Sequence, residues 1–395
     1  MYKLGNVIQN YAWGSKTAMT ALFGITNPDD QAQAELWMGA HPNGCSRIVC
    51  EGESQLLSDV IEQSPETVLG RYTHDKFGEL PYLVKVLSAA KPLSIQVHPK
   101  KSAAEEGYHR ENLAGIPLNA AERNYKDPNH KPEMVYALTN YKAMNGFRVI
   151  NEMVELFEQA NCPTLAEDVQ ALKANPTPIQ LSAFFREVIS LTGEKKQAAI
   201  AELMENIGSK GLTTDAKAIF ELIAGFAKEY PNDVGLFAPL MLNVIDLEAG
   251  EAMYLDAETP HAYLEGTGIE VMASSDNVLR AGLTPKFIDV EELLKNTRFE
   301  PIPAQHLRLK GQVKDNKICY NVPVDDFKVD VITLVDKPQT EFVRSAEIIM
   351  CLQGKLTLES EGEEINLIAG ESAFIPYSSR QYSYKGMGKA VRTFN

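Results

Sequence analysis

The sequence predicts a mainly β protein with an α-helical insertion, and three observations support this fold class. Short apolar runs bounded by glycine and proline, typical of β-strands, occur before residue 150 and after residue 237. Between them, apolar residues recur every three or four positions, as in amphipathic helices. An Ala-Gly-Glu turn between two strand-like runs occurs near residue 250 and again near residue 370. We therefore expect two similar β-barrels, with the helical segment inserted into the first.

The stretch from Leu93 to His98 predicts a strand because apolar and polar residues alternate along it. Successive side chains of a strand point to opposite faces, so Ser94, Gln96 and His98 share one face. An amide oxygen and an imidazole nitrogen two residues apart can bind one cation. Taken alone, the pattern favours an ordinary half-buried strand whose polar face meets water. Residues elsewhere in the chain must decide whether this face binds a metal instead.

Residues 151–236 have the periodicity of helices. One helix is predicted from Leu181 to Ile189, stopping at Gly193, and a second stops at Gly208. A third is predicted to begin after Thr214 and Asp215, which are good N-cap residues. No cluster of chemistry-bearing side chains lies in this block, so we interpret it as a helical module inserted into a β-rich domain.

The segments 247–255 and 367–375 resemble each other and suggest a jelly-roll barrel of the cupin type, present twice. His261 lies eleven residues after Gly250, whereas Gln381 stands at the equivalent distance from Gly370. Because no histidine or carboxylate cluster surrounds Gln381, we expect the second barrel to be metal-free and structural.

The 395 residues therefore divide into three predicted domains. A catalytic jelly-roll domain comprises residues 1–150 together with 237–300, an inserted helical domain comprises residues 151–236, and a metal-free C-terminal jelly roll comprises residues 301–395.

Composition excludes several classes of partner. The formal net charge of −15 argues against nucleic acid or an anionic membrane surface. The apolar runs are too short to span a bilayer, and the N-terminal residues lack the apolar core of a signal peptide. Five scattered cysteines without a Cys-x-x-Cys pair indicate reduced thiols. We therefore expect a cytoplasmic protein.

Candidate metal ligands occur in more than one segment of the chain. A barrel interior receives alternate residues from several strands, so residues that are distant in sequence can meet there. Two imidazoles, one carboxylate and one amide oxygen would form a site for a divalent metal, most naturally zinc with one position open. The segments with candidate ligands are Gln96–His98, Asn129–Tyr136, Glu258–Tyr263 and Gly268–Lys286.

At these segments the chain resembles the type I mannose-6-phosphate isomerase (phosphomannose isomerase) family. The matching motifs are Ser-Ile-Gln-Val-His-Pro, Asn-His-Lys-Pro-Glu-Met, Pro-His-Ala-Tyr and Asn-Val-Leu-Arg-Ala-Gly-Leu-Thr-Pro-Lys. Gln-Asn-Tyr-Ala-Trp-Gly-Ser and Glu-Leu-Trp-Met-Gly-Ala-His-Pro match near the N-terminus. The resemblance covers the chain in order from residue 4 to about residue 290 and continues more weakly to the C-terminus.

The resemblance implies a role for eleven residues. One Zn²⁺ per chain would bind to the metal ligands Gln96, His98, Glu133 and His261. The catalytic residues would be Arg280, Lys131 and Glu270, of which Lys131 and Glu270 are alternative proton-transfer bases. The substrate-binding residues would be Ser94, Lys85, Lys286 and Tyr263.

The implied activity is interconversion of D-mannose 6-phosphate and D-fructose 6-phosphate in mannose and GDP-mannose precursor metabolism. The partners would be small sugar phosphates, and the protein is expected to be a monomer. Two alternatives stay open. One is another metal-dependent cupin enzyme, such as a non-haem iron oxygenase, although Gln96 would add a ligand to an iron triad. The other is a non-catalytic sugar-phosphate-binding cupin, in which Arg280 and Lys131 would have no role.

Overall fold

The computed structural model describes residues 1–50, 52–208 and 212–395. Its strands are β1 Tyr2–Lys3, β2 Val7–Gln9, β3 Glu35–Met38, β4 Arg47–Cys50, β5 Glu53–Leu56, β6 Tyr82–Ala89, β7 Ile95–Val97, β8 Glu133–Ala137, β9 Tyr141–Phe147, β10 Leu242–Leu247, β11 Ala252–Leu255, β12 His261–Ala273, β13 Leu279–Gly282, β14 Gln312–Lys314, β15 Lys317–Tyr320, β16 Lys328–Leu334, β17 Gln339–Phe342, β18 Glu347–Ser360, β19 Glu363–Ile368, β20 Ser372–Ile375 and β21 Gln381–Phe394. Its α-helices are α1 Ala18–Phe23, α2 Leu57–Gln63, α3 Pro65–Leu69, α4 Arg71–Phe77, α5 Lys101–Leu113, α6 Ile150–Ala160, α7 Ala166–Ala174, α8 Pro178–Ile189, α9 Gly193–Asn206, α10 Thr214–Glu229, α11 Ala238–Met241 and α12 Val290–Lys295. The predicted fold class, mainly β with a helical insertion, is confirmed.

The first large sheet draws its strands from both sides of the helical segment. Its main path is β10-β9-β12-β6-β3-β2, and β7, β8, β11 and β13 join it through β12 and through one another. The long strand β12 is central, because it pairs with β9 and β7 near its start and with β6 and β8 along its second half. Residues that are far apart in sequence are therefore held in fixed register around this one strand.

The helices from α6 to α11 form a layer with its own apolar core. Phe157 and Phe184 pack edge to face with ring centroids 4.9 Å apart. The same core continues into the first sheet through Val97 and Leu279, which are both buried. The helix predicted to stop at Gly193 ends at Ile189, and Gly193 instead begins the next helix.

The third predicted helix is capped one residue earlier than its sequence suggests. The helix begins at Thr214, and the hydroxyl of Thr213 accepts a hydrogen bond from the backbone N–H of Ala216. This arrangement satisfies one of the free N–H groups of the first turn.

The second large sheet forms the C-terminal jelly roll. Its path is β1-β20-β18-β21-β16-β15-β14, with β17 on β21 and β19 on β18. Its first strand comes from the opposite end of the chain, since Tyr2 is the register partner of Phe374. One apolar core is shared between the two sheets, and it contains Val84 of the first and Ile348 of the second. The three domain limits stay a prediction.

The repeated Ala-Gly-Glu segment forms the same turn in both sheets. Gly250 has a φ of 99° and Gly370 a φ of 90°, values that favour glycine. In each turn the following glutamate N–H donates to the carbonyl three residues earlier, Glu251 to Glu248 and Glu371 to Ile368, both at 3.0 Å.

In the ranges that the structure describes, none of the helices combines the length and the apolar character needed to cross a bilayer.

Candidate active site

Three buried side chains in the first sheet converge as a metal-binding group. His98, Glu133 and His261 each offer a ligand atom, and these atoms lie within 4.8 Å of one another. His98 Nε2 lies 3.2 Å from Glu133 Oε1, and His261 Nε2 lies 3.3 Å from Glu133 Oε2. Each histidine thus faces a different oxygen of one carboxylate. This is a donor set that suits a divalent transition metal such as zinc.

Backbone carbonyls fix the orientation of both imidazole rings. His98 Nδ1 lies 2.7 Å from the carbonyl oxygen of Asn277, and His261 Nδ1 lies 2.9 Å from that of Thr259. These contacts place the proton on Nδ1 and turn Nε2 toward the centre, as the outer contacts of metal-binding histidines do. Burial lowers the pKa of His98 to about 4, so the ring stays neutral and able to bind a metal.

The fourth predicted ligand, Gln96, lies on the strand next to His261. The Cα atoms of Gln96 and His261 are register partners between β7 and β12, and Gln96 also pairs with Arg280 of β13. His98 Nε2 is buried but makes no hydrogen bond of good geometry within the described residues. A cation in contact with this nitrogen would satisfy it, so the residues present fit a metal ion.

Glu133 is held by two further side chains. The Tyr263 hydroxyl donates to Glu133 Oε2 at 2.8 Å, and Lys131 Nζ lies 3.2 Å from Glu133 Oε1. Burial by itself would raise the pKa of Glu133, but the positive charge of Lys131 and the contacts with His98 hold that pKa well below its usual value. Glu133 is therefore an ionised carboxylate, which is the form that binds a metal.

A cavity of about 490 Å³, whose volume suits a small ligand, is lined by Gln96, the register partner of His261. Five of the predicted residues line it, namely Ser94, Gln96, Lys85, Arg280 and Lys286. Within the described residues Arg280 and Lys286 form no ion pair. The charge of Arg280, followed by burial, lowers the pKa of Lys286. Two neighbouring cations without a carboxylate partner favour an anionic ligand.

Lys85 differs from these two cations because its charge is already compensated. Its Nζ lies 3.0 Å from Glu270 Oε2 and 3.7 Å from Glu35 Oε1, and all three side chains are buried. Burial favours the neutral amine, but Glu270 and then Glu35 outweigh it and raise the pKa of Lys85. Burial also raises the pKa of Glu270. Glu35 additionally accepts a hydrogen bond from Trp37 Nε1 at 2.7 Å.

The structure thus places the eleven predicted residues in two adjoining groups. His98, Glu133, His261, Lys131 and Tyr263 form the first group, and the cavity residues with Glu270 form the second. Gln96 joins them, since it lines the cavity and lies opposite His261. Residue patterns missed Glu35, the carbonyl of Asn277 and the carbonyl of Thr259. The two carbonyls leave no signal in a sequence, because every residue has one.

A buried metal-binding group inside a jelly-roll sheet beside a small polar cavity defines a metal-dependent enzyme of the cupin class. Comparison with known families agrees with this class. Residues 1–150 match the catalytic domain of type I phosphomannose isomerase, and residues 153–242 match its helical insertion domain. Residues 316–395 match the cupin domain of mannose-6-phosphate isomerase.

Individual relatives are similar along the whole chain. The mannose-6-phosphate isomerase of Escherichia coli (strain K12) is 48% identical over 398 residues, covering 100% of both chains. The human mannose-6-phosphate isomerase is 35% identical over 391 residues, covering 90% of this chain and 88% of its own. A crystal structure of the Salmonella typhimurium mannose 6-phosphate isomerase, bound to substrate and zinc, has a TM-score of 0.94 and 46% identity, covering 100% of this chain and 99% of that one. This chain belongs to the type I phosphomannose isomerase family, as its motifs predict.

Proposed function

We propose that this protein is a zinc-dependent isomerase that interconverts D-mannose 6-phosphate and D-fructose 6-phosphate. The observation that carries the proposal is the position of Gln96. It lines a cavity with two uncompensated cations and is also the register partner of the candidate ligand His261. A metal-binding group and an anion-binding wall are therefore next to each other. An aldose phosphate that reacts at one end and is anchored at the other needs this arrangement.

The reaction moves a proton between C1 and C2 through an enediol. It requires stabilisation of developing oxyanion charge, a base beside the carbon atoms and an anchor for the phosphate. When bound, Zn²⁺ would supply an electrophilic centre, held by Gln96, His98, Glu133 and His261. Arg280 offers a planar guanidinium to an oxyanion or to phosphate. Ser94 and Lys286 are proposed as further phosphate contacts.

Two side chains are proposed for the proton transfer, as the sequence predicted. Lys131 lies 3.2 Å from the metal-binding carboxylate Glu133, and Glu270 lies 3.0 Å from Lys85. Burial raises the pKa of the Glu270 carboxyl, a direction that favours general acid–base work. Exchange of the C2 hydrogen with deuterated solvent, measured for Lys131→Met and Glu270→Gln separately, identifies the base as the residue whose loss stops exchange.

The structure suggests a more specific role for two of the predicted substrate-binding residues. Because Lys85 lines the cavity and pairs with Glu270 and Glu35, we propose that it orients Glu270 and contacts the substrate while it stays in these ion pairs. Because the Tyr263 hydroxyl donates to Glu133, we propose that Tyr263 orients this ligand.

The proposal extends to the cellular context. Four cysteines are free in the described residues, which agrees with a cytoplasmic location. We propose that the protein acts there as a monomer, in mannose and GDP-mannose precursor metabolism.

A coupled assay tests the function. Purified protein should convert mannose 6-phosphate to fructose 6-phosphate, lose activity after chelation and recover it with Zn²⁺. Recovery with Fe²⁺ alone would favour a non-haem iron cupin enzyme. Binding of mannose 6-phosphate without any turnover by the zinc-loaded protein would instead favour a non-catalytic binding protein.

A further inference from the structure

The end of the helical segment is bonded to the loop that carries Lys286. The Asp233 carboxylate accepts three backbone N–H groups. Its Oδ1 accepts from Gly235 at 2.7 Å and from Leu283 at 2.7 Å, and its Oδ2 accepts from Thr284 at 3.1 Å. The first of these bonds is an ordinary local cap. The other two cross to a segment some fifty residues away and are not part of that cap, which begins the short 3-10 helix Val234–Phe237.

The backbones at this junction are in unusually close contact. A Cβ on Gly235 would lie 2.6 Å from the backbone nitrogen of Leu283, and a Cβ on Gly282 would lie 2.7 Å from the Cα of Gly235. Leu283 has a φ of 51°, in the left-handed region that a branched side chain rarely adopts. A residue stays in that region only where its surroundings hold it there. The two hydrogen bonds to Asp233 are part of what holds it.

The loop that is hydrogen-bonded to Asp233 lies next to Arg280 and contains Lys286, the two cations of the cavity. Thr284 Oγ1 accepts the backbone N–H of Lys286 at 3.1 Å, so a continuous chain of bonds runs from Asp233 through Thr284 to Lys286. Arg280 precedes the same loop on β13. Tyr230, from the helical segment, lines the cavity together with Leu283, Thr284 and Lys286. The helical segment therefore contributes Tyr230 to the lining of the cavity.

We propose that Asp233 is a positioning residue for phosphate binding, which it supports by holding the Leu283–Lys286 loop so that Lys286 faces the cavity. This inference rests on the proposed function, because it assigns the phosphate group of the substrate to that loop. It also gives the helical segment a part in substrate binding, although its sequence shows no chemistry-bearing cluster.

The test compares substrate affinity with stability in the zinc-loaded protein. Hydrogen bonds to a charged carboxylate are stronger than those between neutral groups, so the effect of removing them should be measurable. Asp233→Ala is expected to raise KM for mannose 6-phosphate about tenfold, with kcat within about threefold, because the phosphate contact is lost equally from the bound substrate and the transition state. The dissociation constant for inorganic phosphate, measured by calorimetry without turnover, should rise by a similar factor. Zinc content should not change.

Two further variants keep the test decisive if Asp233→Ala folds poorly. Asp233→Asn keeps the size and one acceptor oxygen and should restore part of the phosphate affinity. Thr284→Val removes the acceptor for the Lys286 N–H and should weaken phosphate binding in the same direction.

A matched control removes a cap elsewhere in the helical segment. Thr177 caps α8 by accepting the Gln180 N–H at 3.3 Å, so Thr177→Ala should lower the unfolding temperature and leave KM and phosphate affinity unchanged. The inference is overturned if the Asp233 and Thr284 variants bind phosphate as the unsubstituted protein does, or if Thr177→Ala weakens phosphate binding equally. Failure of the unsubstituted zinc-loaded protein to isomerise mannose 6-phosphate would overturn the proposed function instead.

Discussion

His261 and Gln96 are direct register partners across an antiparallel strand pair, although the whole helical segment lies between them in sequence. His261 is the first residue of β12, and the same strand pairs Met272, near its other end, with Glu133 of β8. Candidate ligands from three separate segments are thus ordered along one strand. Because a one-residue slip would turn every side chain to the opposite face, the strand register specifies the metal site.

Substitution of His261→Ala should abolish metal binding. The substitution removes one of the two imidazoles and leaves Glu133 Oε2 without its ring partner. Metal analysis of purified protein should find zinc in the unsubstituted chain and little in the variant. The exposed His306 provides the control, since His306→Ala should retain the metal. A His261→Ala protein with full zinc content would contradict the proposed ligand set.

Substitution of Arg280→Ala should differ from His261→Ala, because the protein should retain its metal but lose turnover. Arg280 lines the cavity and is the backbone register partner of Gln96. It is not a candidate metal ligand, so its removal should leave the metal bound. Loss of a single preorganised group that stabilises transition-state charge costs about 10²–10³ in kcat. Steady-state kinetics and metal analysis of the same preparation provide the measurement. Arg71→Ala, at an exposed position, is the control, and near-normal turnover of Arg280→Ala would show that Arg280 has no catalytic role.

Strand and helix patterns predicted much of this architecture because they reflect local physics. Alternation from Leu93 to His98 predicted the strand β7 and put Gln96 and His98 on one face. The repeated glycine turns appear as predicted, because only a few residue types tolerate the positive φ of Gly250 and Gly370. Apolar spacing also predicted α8, α9 and α10 within a few residues of their limits.

What the patterns missed depends on contacts between distant segments. Glu35 is buried because it receives Trp37 Nε1 and lies beside Lys85, and nothing in its own neighbourhood signals this. Tyr2 pairs with Phe374 at the far end of the chain, a partner that no local period can identify. Asp233 is a similar case, since four strands, β10 to β13, separate it in sequence from its partners Leu283 and Thr284. The family resemblance supplied roles for residues that local patterns cannot connect, and those roles stay predictions.

Lys85→Met and Lys286→Met should distinguish a buried lysine that stabilises the fold through ion pairs from an exposed lysine that binds phosphate. Removing the buried Lys85 ammonium leaves Glu270 and Glu35 without their partner, and breaking a buried ion pair from one side costs about 3–5 kcal/mol. Urea unfolding should therefore show a large loss of stability for Lys85→Met. The exposed Lys286 has no carboxylate partner in the described residues, so Lys286→Met should keep its stability and weaken inhibition by inorganic phosphate. Equal stability of the two variants would argue against the paired role of Lys85.

The C-terminal jelly roll contains a buried ion network whose loss should destabilise that barrel. Arg392 Nε and Nη2 bind the two oxygens of Glu347 at 2.6 and 2.5 Å, and Nη1 binds Asp330 at 2.9 Å. Arg392, Glu347 and Asp330 are all buried, so Arg392→Met would leave two carboxylates without their cation in a low-dielectric interior. We expect a loss of about 3–5 kcal/mol in the free energy of unfolding, measured by urea denaturation. Arg344→Met, at an exposed position on the same barrel, should change stability by no more than about 0.5 kcal/mol. If both variants unfold at the same urea concentration, the network contributes little to stability. Partial recovery of stability when Arg392→Met is combined with Glu347→Gln would show that the uncompensated Glu347 carboxylate contributes to the loss.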